Sequence, residues 1–189
     1  MSVWPGGGLT SGTPAAQDAL AQTLPVTGVI AQTMPRTNLV NVAVLATGQE
    51  STWGVYLVAG QVLTSISFVA GTQAAVAPTN QWFTVRNSSR TLVGITVDDT
   101  TTAWNAGKTL ALSATYTVPT TGLYYFGCMV AAGTPPSLLG AASGGSPALS
   151  QAPALAGRDS TAGLTTPATA DATLTFDTPL NNMIYAYAK

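Results

Sequence analysis

The sequence predicts an all-β protein, and three observations carry that prediction. Charged residues make up 7% of the 189 residues, against roughly 25% in an average soluble protein, so Thr, Ser, Asn and Gln must supply most solvent-facing positions. Thr is both polar and β-branched, which suits the outer face of a strand. From Asn38 onward, short stretches with apolar residues at every second position recur between Gly, Asn and Pro, the pattern of a sandwich or barrel. The 19 Gly and 12 Pro argue in turn against long surface helices.

Residues 1–36 read as an extended N-terminal arm. "MSVWPGGG" is loop-like, and "TPAAQDALAQTL" predicts a short helix over 14–24, with Thr13 as N-cap and Pro14 at the first helical position. A helix that short needs a surface to pack on. "TLPVTGVIAQTMPRTN" carries two prolines in an extended setting, more an arm than a sheet strand. Trp4, Leu20, Leu24, Val29 and Ile30 are the candidate anchors of this arm on a neighbouring subunit. Each side chain buried there would contribute on the order of 1.5–3 kcal/mol, less the entropy of ordering the segment.

Residues 37–189 read as one β domain. "NLVNVAVLA" places Val40, Val42 and Val44 on one face, and "TWGVYLVAG" follows. In "QVLTSISFVAG", Val62, Thr64, Ile66, Phe68 and Ala70 share one face and Leu63, Ser65, Ser67 and Val69 the other. "NQWFTVRN" and "RTLVGITVD" flank "NSSR", which has hairpin-loop chemistry. "GKTLALS", "TYTVPTTG" and "LYYFGCMVAAG" predict three further strands. Residues 134–171 are rich in Pro, Gly, Ser and Ala and nearly aperiodic. They read as a long excursion across the domain surface, because "ATLTFDTPLNNMIYAYAK" resumes alternation and should return to a sheet. Loops of that length tend to be functional or mobile.

The inventory of reactive groups is short. With a formal net charge of −1 and no basic patch, the chain is not expected to bind nucleic acid. No run of about 18 apolar residues predicts membrane insertion, and the N-terminus has no signal-peptide pattern. Exposed, durable surface proteins share this composition. A virion component, made in the host cytoplasm and released on lysis, reconciles it with the missing export signal. The absence of histidine removes Ser-His-Asp and Cys-His catalysis and histidine-based zinc sites. The single Cys128, in an apolar run, predicts a buried thiol and no internal disulfide. No phosphate-binding loop occurs, and no cofactor is expected.

Carboxylates and aromatics remain. A glycosidase needs two carboxylates facing across a cleft, whereas Asp98 and Asp99 are adjacent and in an extended strand would point to opposite faces. They are expected to end a strand and cap a turn. The metal alternative is a calcium site in "DDTT", built from these carboxylates with Thr and backbone oxygens. Glu50, Asp159, Asp171 and Asp177 lie in loop-like text. Trp53, Trp82 and Trp104 are expected to fill the core, with a glycan-stacking platform as the functional alternative. Trp82 and Phe83 are consecutive, so they should face opposite surfaces.

Taken together, "PTNQWF", "DDTTTAW", "KTLAL", "TGLYY" and the closing "NMIYAYAK" are familiar as a set. Over residues 37–189 the chain resembles a β domain recurrent in tailed phages, especially those of actinobacteria, in minor tail proteins and other virion structural proteins. The resemblance implies a jelly-roll-like antiparallel sandwich without catalytic activity, often trimeric on the virion surface and partnered by other virion proteins. Three functions follow as expectations. The first is a minor tail component exposed on the particle and contacting the host envelope. The second is a capsid decoration protein or head fibre clamping capsomers. The third is a carbohydrate-binding module that uses Trp53, Trp82 or Trp104 on a host surface glycan.

Overall fold

Period-two alternation can be satisfied only by strands that bury one side, and the chain pairs almost all of its alternating stretches. The computed structural model describes residues 28–42, 45–100, 102, 104, 106–142 and 147–189. The helix expected over 14–24, the anchors Trp4, Leu20 and Leu24, and Val44 lie outside the described residues. The strands are β1 (Ala31–Gln32), β2 (Val40–Val42), β3 (Glu50–Leu57), β4 (Val62–Val69), β5 (Val76–Arg86), β6 (Leu92–Ile95), β7 (Gly107–Thr117), β8 (Gly122–Thr134), β9 (Leu138–Ala142), β10 (Ala156–Arg158), β11 (Thr178–Pro179), β12 (Asn182–Ile184) and β13 (Ala186–Ala188). The only helical pieces among the described residues are short 3-10 turns at Pro147–Leu149 and Pro167–Thr169.

The fold is all-β, an antiparallel sandwich. A four-stranded sheet, β1-β13-β4-β7, lies over a six-stranded sheet, β11-β10-β3-β8-β5-β6, and a three-stranded sheet, β12-β9-β2, adjoins the end of β4 through an Ala70–Leu138 bridge. All strand pairs are antiparallel. A line of aromatic rings runs between the two large sheets. Trp53 meets Phe68 edge-on at 5.9 Å, Phe68 meets Phe83 at 4.8 Å, and Phe83 meets Trp104 at 5.5 Å. Ile66, Leu110, Phe126 and Cys128 fill the space around it. Burial pushes the Cys128 thiol well above its ordinary pKa, which keeps it protonated and inert.

Four local expectations are corrected. First, the arm does not remain separate up to residue 36, because β1 pairs with β13. The Ile30 and Thr33 amides donate to the Ala188 and Ala186 carbonyls, each at 2.9 Å. Pro35 falls outside this two-residue strand, so it removes no ladder donor. Second, β4 does not keep one parity. Leu63 is buried while Val62 and Thr64 are exposed. The Thr64 and Ser65 amides both donate to the Lys189 carbonyl, at 2.5 and 3.1 Å. Two residues thus occupy one rung and the faces exchange.

Third, "GKTLALS" and "TYTV" are halves of one strand, β7, whose pairing with β4 jumps from Ala111 to Tyr116 across a bulge. Fourth, the 134–171 excursion contains β9 and β10. β9 is the centre of the three-stranded sheet, and β10 adds itself to the edge of β3 with Gly157 opposite Thr52. The chain that follows β10 covers the outer face of the six-stranded sheet. Leu164 packs with Trp82 and Met129, and Phe176 stands edge-on to Tyr125 at 5.3 Å. The six-stranded sheet is therefore buried on both faces around Trp82, Tyr125 and Met129, while Tyr56 at its end stays exposed.

Candidate functional site

Strand register sorts the loops onto two ends of the sandwich. Leu57 lies opposite Gly122 and Arg86 opposite Tyr125. These pairs bring the β3–β4, β5–β6 and β7–β8 turns together at one end. The long β6–β7 loop, with Asp98 and Asp99, lies at the other.

The acidic pair works as a clamp inside that loop. Asp98 Oδ1 accepts from the Gln81 amide at 2.9 Å, and its Oδ2 accepts from Asn80 Nδ2 at 2.5 Å. Asp99 Oδ2 pairs with Lys108 Nζ at 2.6 Å, and Asp99 Oδ1 accepts from the Thr102 amide at 3.0 Å. Lys108 also donates to the Thr102 carbonyl at 2.9 Å. The calcium alternative for Asp98 and Asp99 is thereby corrected. The largely buried Lys108 ammonium already supplies the positive charge, and a divalent cation beside it would be repelled. Among the described residues, no three acidic or sulfur-bearing side chains gather as a metal site would require.

The tryptophan platform is corrected as well. Trp53, Trp82 and Trp104 are 0%, 0% and 1% exposed, so no indole face can lie against a pyranose. Trp53 Nε1 donates to the Asn182 carbonyl, Trp82 Nε1 to the Thr165 carbonyl and Trp104 Nε1 to the Ala106 carbonyl. Each is a satisfied core indole. Trp82 and Phe83 do face opposite ways, yet the outward face is roofed by the excursion. Of the arm anchors, Val29 is half-buried and Ile30 exposed.

Sequence reasoning missed a buried ion pair. Glu50 opens β3 instead of lying in a loop, and it meets Arg86 of β5 across the narrow gap left by Gly127 of β8. Arg86 Nε donates to Glu50 Oε1 at 2.8 Å and Nη2 to Oε2 at 2.7 Å. Thr84 adds a hydrogen bond to Oε1 at 2.5 Å, and Arg86 Nη1 reaches the Arg90 carbonyl at 3.1 Å. Neither charged side chain is exposed to solvent. Asp159 is buried too, accepting from the Thr161 and Thr175 amides at 2.9 and 3.0 Å. Both groups hold the fold and are closed to any substrate.

A recess opens at the end where three turns meet. It encloses about 270 Å³ and is lined chiefly by Asn87, Ser88, Tyr116, Pro119, Thr120 and Tyr124, with no charged side chain. Its walls are fixed by their own hydrogen bonds. Asn87 Oδ1 accepts from the Ser89 and Thr91 amides, both at 3.0 Å, which shapes the β5–β6 turn. Thr121 Oγ1 accepts from the Ala59 amide at 2.9 Å, joining the β3–β4 and β7–β8 turns. Tyr124 Oη donates to the Thr120 carbonyl at 3.0 Å. The Tyr116 ring meets Tyr124 edge-on at 6.4 Å. Burial and the adjoining Tyr124 hydroxyl push the Tyr116 phenol up to about 12, so it remains a neutral hydroxyl at physiological pH. No signal in the text singled out these residues, since "NSSR" and "TYTVPTTG" each read only as a turn.

The molecule is thus defined as an antiparallel β-sandwich with one strapped sheet, one open sheet and a neutral recess at one end. No protein-family model matches the sequence, and no curated protein or solved structure is similar enough to count as a match.

Proposed function

We propose that the chain is a non-enzymatic structural protein of a tailed-phage virion. In this reading it is a minor tail component exposed on the particle surface and assembled as a homotrimer among other virion proteins. The observation that carries the reading is where the charge is spent. Glu50 and Arg86 consume each other inside the sandwich, Asp99 is used on Lys108, and Asp159 on its own loop. The outer side of the four-stranded sheet is left mainly to Thr64, Ser65, Thr109, Ala111 and Ser113, with Tyr187 and the Lys189 ammonium over its ring towards the β13 edge. Surface this poor in charge is cheap to remove from water, and the centres of protein interfaces are depleted in charge for that reason.

Strand order adds support. β1 pairs with β13 and β4 with β7 in one sheet, while β3, β8, β5 and β6 are consecutive in the other. Such an order is compatible with a jelly-roll winding, in which the first strand meets the last, and viral capsid and lectin domains use that winding. A fold alone does not assign a role, so the resemblance to phage tail domains carries the remainder.

The test is to find the chain on purified particles by mass spectrometry and cryo-electron microscopy. Density at the tail, three copies about one axis, is the expected result. Density on capsomer axes would replace the tail position with capsid decoration. Absence from the particle would overturn the proposal.

A further inference from the structure

We infer that the recess between the β5–β6 and β7–β8 turns binds a neutral sugar ring. This goes beyond the structural role proposed above and stands without it, because it rests only on the chemistry of the recess.

The walls select the ligand class. No charged side chain lines the recess, so phosphates, uronates and amines would lose hydration there without a counter-charge. The polar groups are hydroxyls and an amide, from Ser88, Tyr116, Thr120, Tyr124 and Asn87. The Tyr124 proton is committed to the Thr120 carbonyl and its oxygen lies 3.3 Å from Thr120 Oγ1, so Tyr124 offers a ligand its remaining acceptor capacity only. Asn87 Oδ1 is committed to the turn amides, so its NH2 is the part of the amide available as a donor. Such groups match a ligand that presents many hydroxyls, each both donor and acceptor. The half-buried Tyr116 ring and Pro119 supply the apolar surface against which the C–H face of a sugar ring is removed from water.

Size and position agree. At about 270 Å³ the recess falls just below the roughly 300–1,000 Å³ typical of cavities for drug-sized ligands. That is room for one ring, with the rest of a glycan outside. The walls are already fixed, so little ordering cost opposes binding. The same end carries the exposed apolar residues Tyr56 (64% exposed), Val58 and Val62. The opposite end offers a smaller recess of about 210 Å³, but Asp99 and Lys108 line it and are used on each other.

The experiment is saturation-transfer NMR on the full chain with glucose, galactose, mannose, arabinose and N-acetylglucosamine as probes. We expect transfer to at least one of them, with a Kd of about 1–10 mM. Tyr116→Ala should weaken that binding by about tenfold or more, and Tyr116→Phe, which keeps the ring, by less than about threefold. Tyr116 packs on Tyr124, so a second variant, Ser88→Trp on the exposed turn, fills the recess without touching the core and should abolish transfer. Val76→Ser, at the far end of β5, should change nothing. No transfer to any of the five sugars at tens of millimolar would overturn the inference, as would transfer that survives Ser88→Trp unchanged.

Discussion

Gly127 is the residue on which the six-stranded sheet is organised. A Cβ there would collide with Thr84 Oγ1 and Glu50 Oε1, so the missing side chain is what lets a carboxylate, a hydroxyl and a guanidinium meet between strands. Gly127→Ala is expected to destabilise by about 1–3 kcal/mol through overpacking, read as a lowered urea midpoint. Glu50→Gln removes the charge and leaves Arg86 buried without a counter-ion, a loss of about 3–5 kcal/mol. The double change Glu50→Leu with Arg86→Met should recover most of that loss, because hydrophobic replacement of a whole buried pair is often neutral. Asp159 gives the sandwich an acid limit. Burial works to raise its carboxyl, but the Thr161 and Thr175 amides and the Thr161 hydroxyl outweigh that and hold it below the ordinary value. The stability so gained is full above the unfolded-state value of about 3.9 and disappears as pH falls through the lower folded value. The Tm should therefore drop on acidification below about pH 4. Asp159→Asn should lower Tm at pH 7 and flatten that acid limb. None of this was legible beforehand. Glu50 and Arg86 are 36 positions apart, and nothing local in "TGQE" or "TVRN" shows that the two strands become neighbours of β8.

Strands were legible where one face meets water and the other the core. β7 and β4 alternate because they face solvent on one side, although a bulge in each breaks the parity. β8 reads as an apolar run because it is buried on both sides. β10 was illegible, being three residues with a glycine at the centre and no period at all. Its place is fixed by pairing with β3 and by Phe176, which occupies the space where Gly157 would carry a Cβ. Gly157→Val should displace Phe176 and lift the covering chain off the sheet. The expected readout is a red-shifted tryptophan emission, as Trp82 gains water, with the aromatic line between the sheets intact. Leu164→Ala attacks the same cover from its apolar side and should cost about 2–5 kcal/mol. Hydrogen exchange should show the Thr165 and Thr169 amides opening before those of β8, since the cover is held by far fewer strand pairs than the sheet beneath it.

At the scale of the whole molecule, the sandwich buries Glu50, Arg86, Lys108 and Asp159, straps one sheet and leaves the other largely uncovered. Composition made that asymmetry half-legible: so little charge announced an uncharged surface, but which face would be open depended on where the excursion folded. Sedimentation of the purified chain should show a trimer in the proposed reading. Replacing Ala111 and Ser113 with glutamate, which places charge on the bare face, should leave Tm within about 1 °C and dissociate that trimer, as surface substitutions away from packed features usually change stability little. One further consequence lies in how the chain begins and ends its path through the four-stranded sheet. β1 and β13 are antiparallel neighbours, and Ile30 and Lys189 leave the sheet side by side. A pull that separates these two points would load their few hydrogen bonds one after another, as a zipper is opened, instead of shearing them together. Tension between Ile30 and Lys189 is consequently expected to open the β1–β13 pairing before any other part of that sheet.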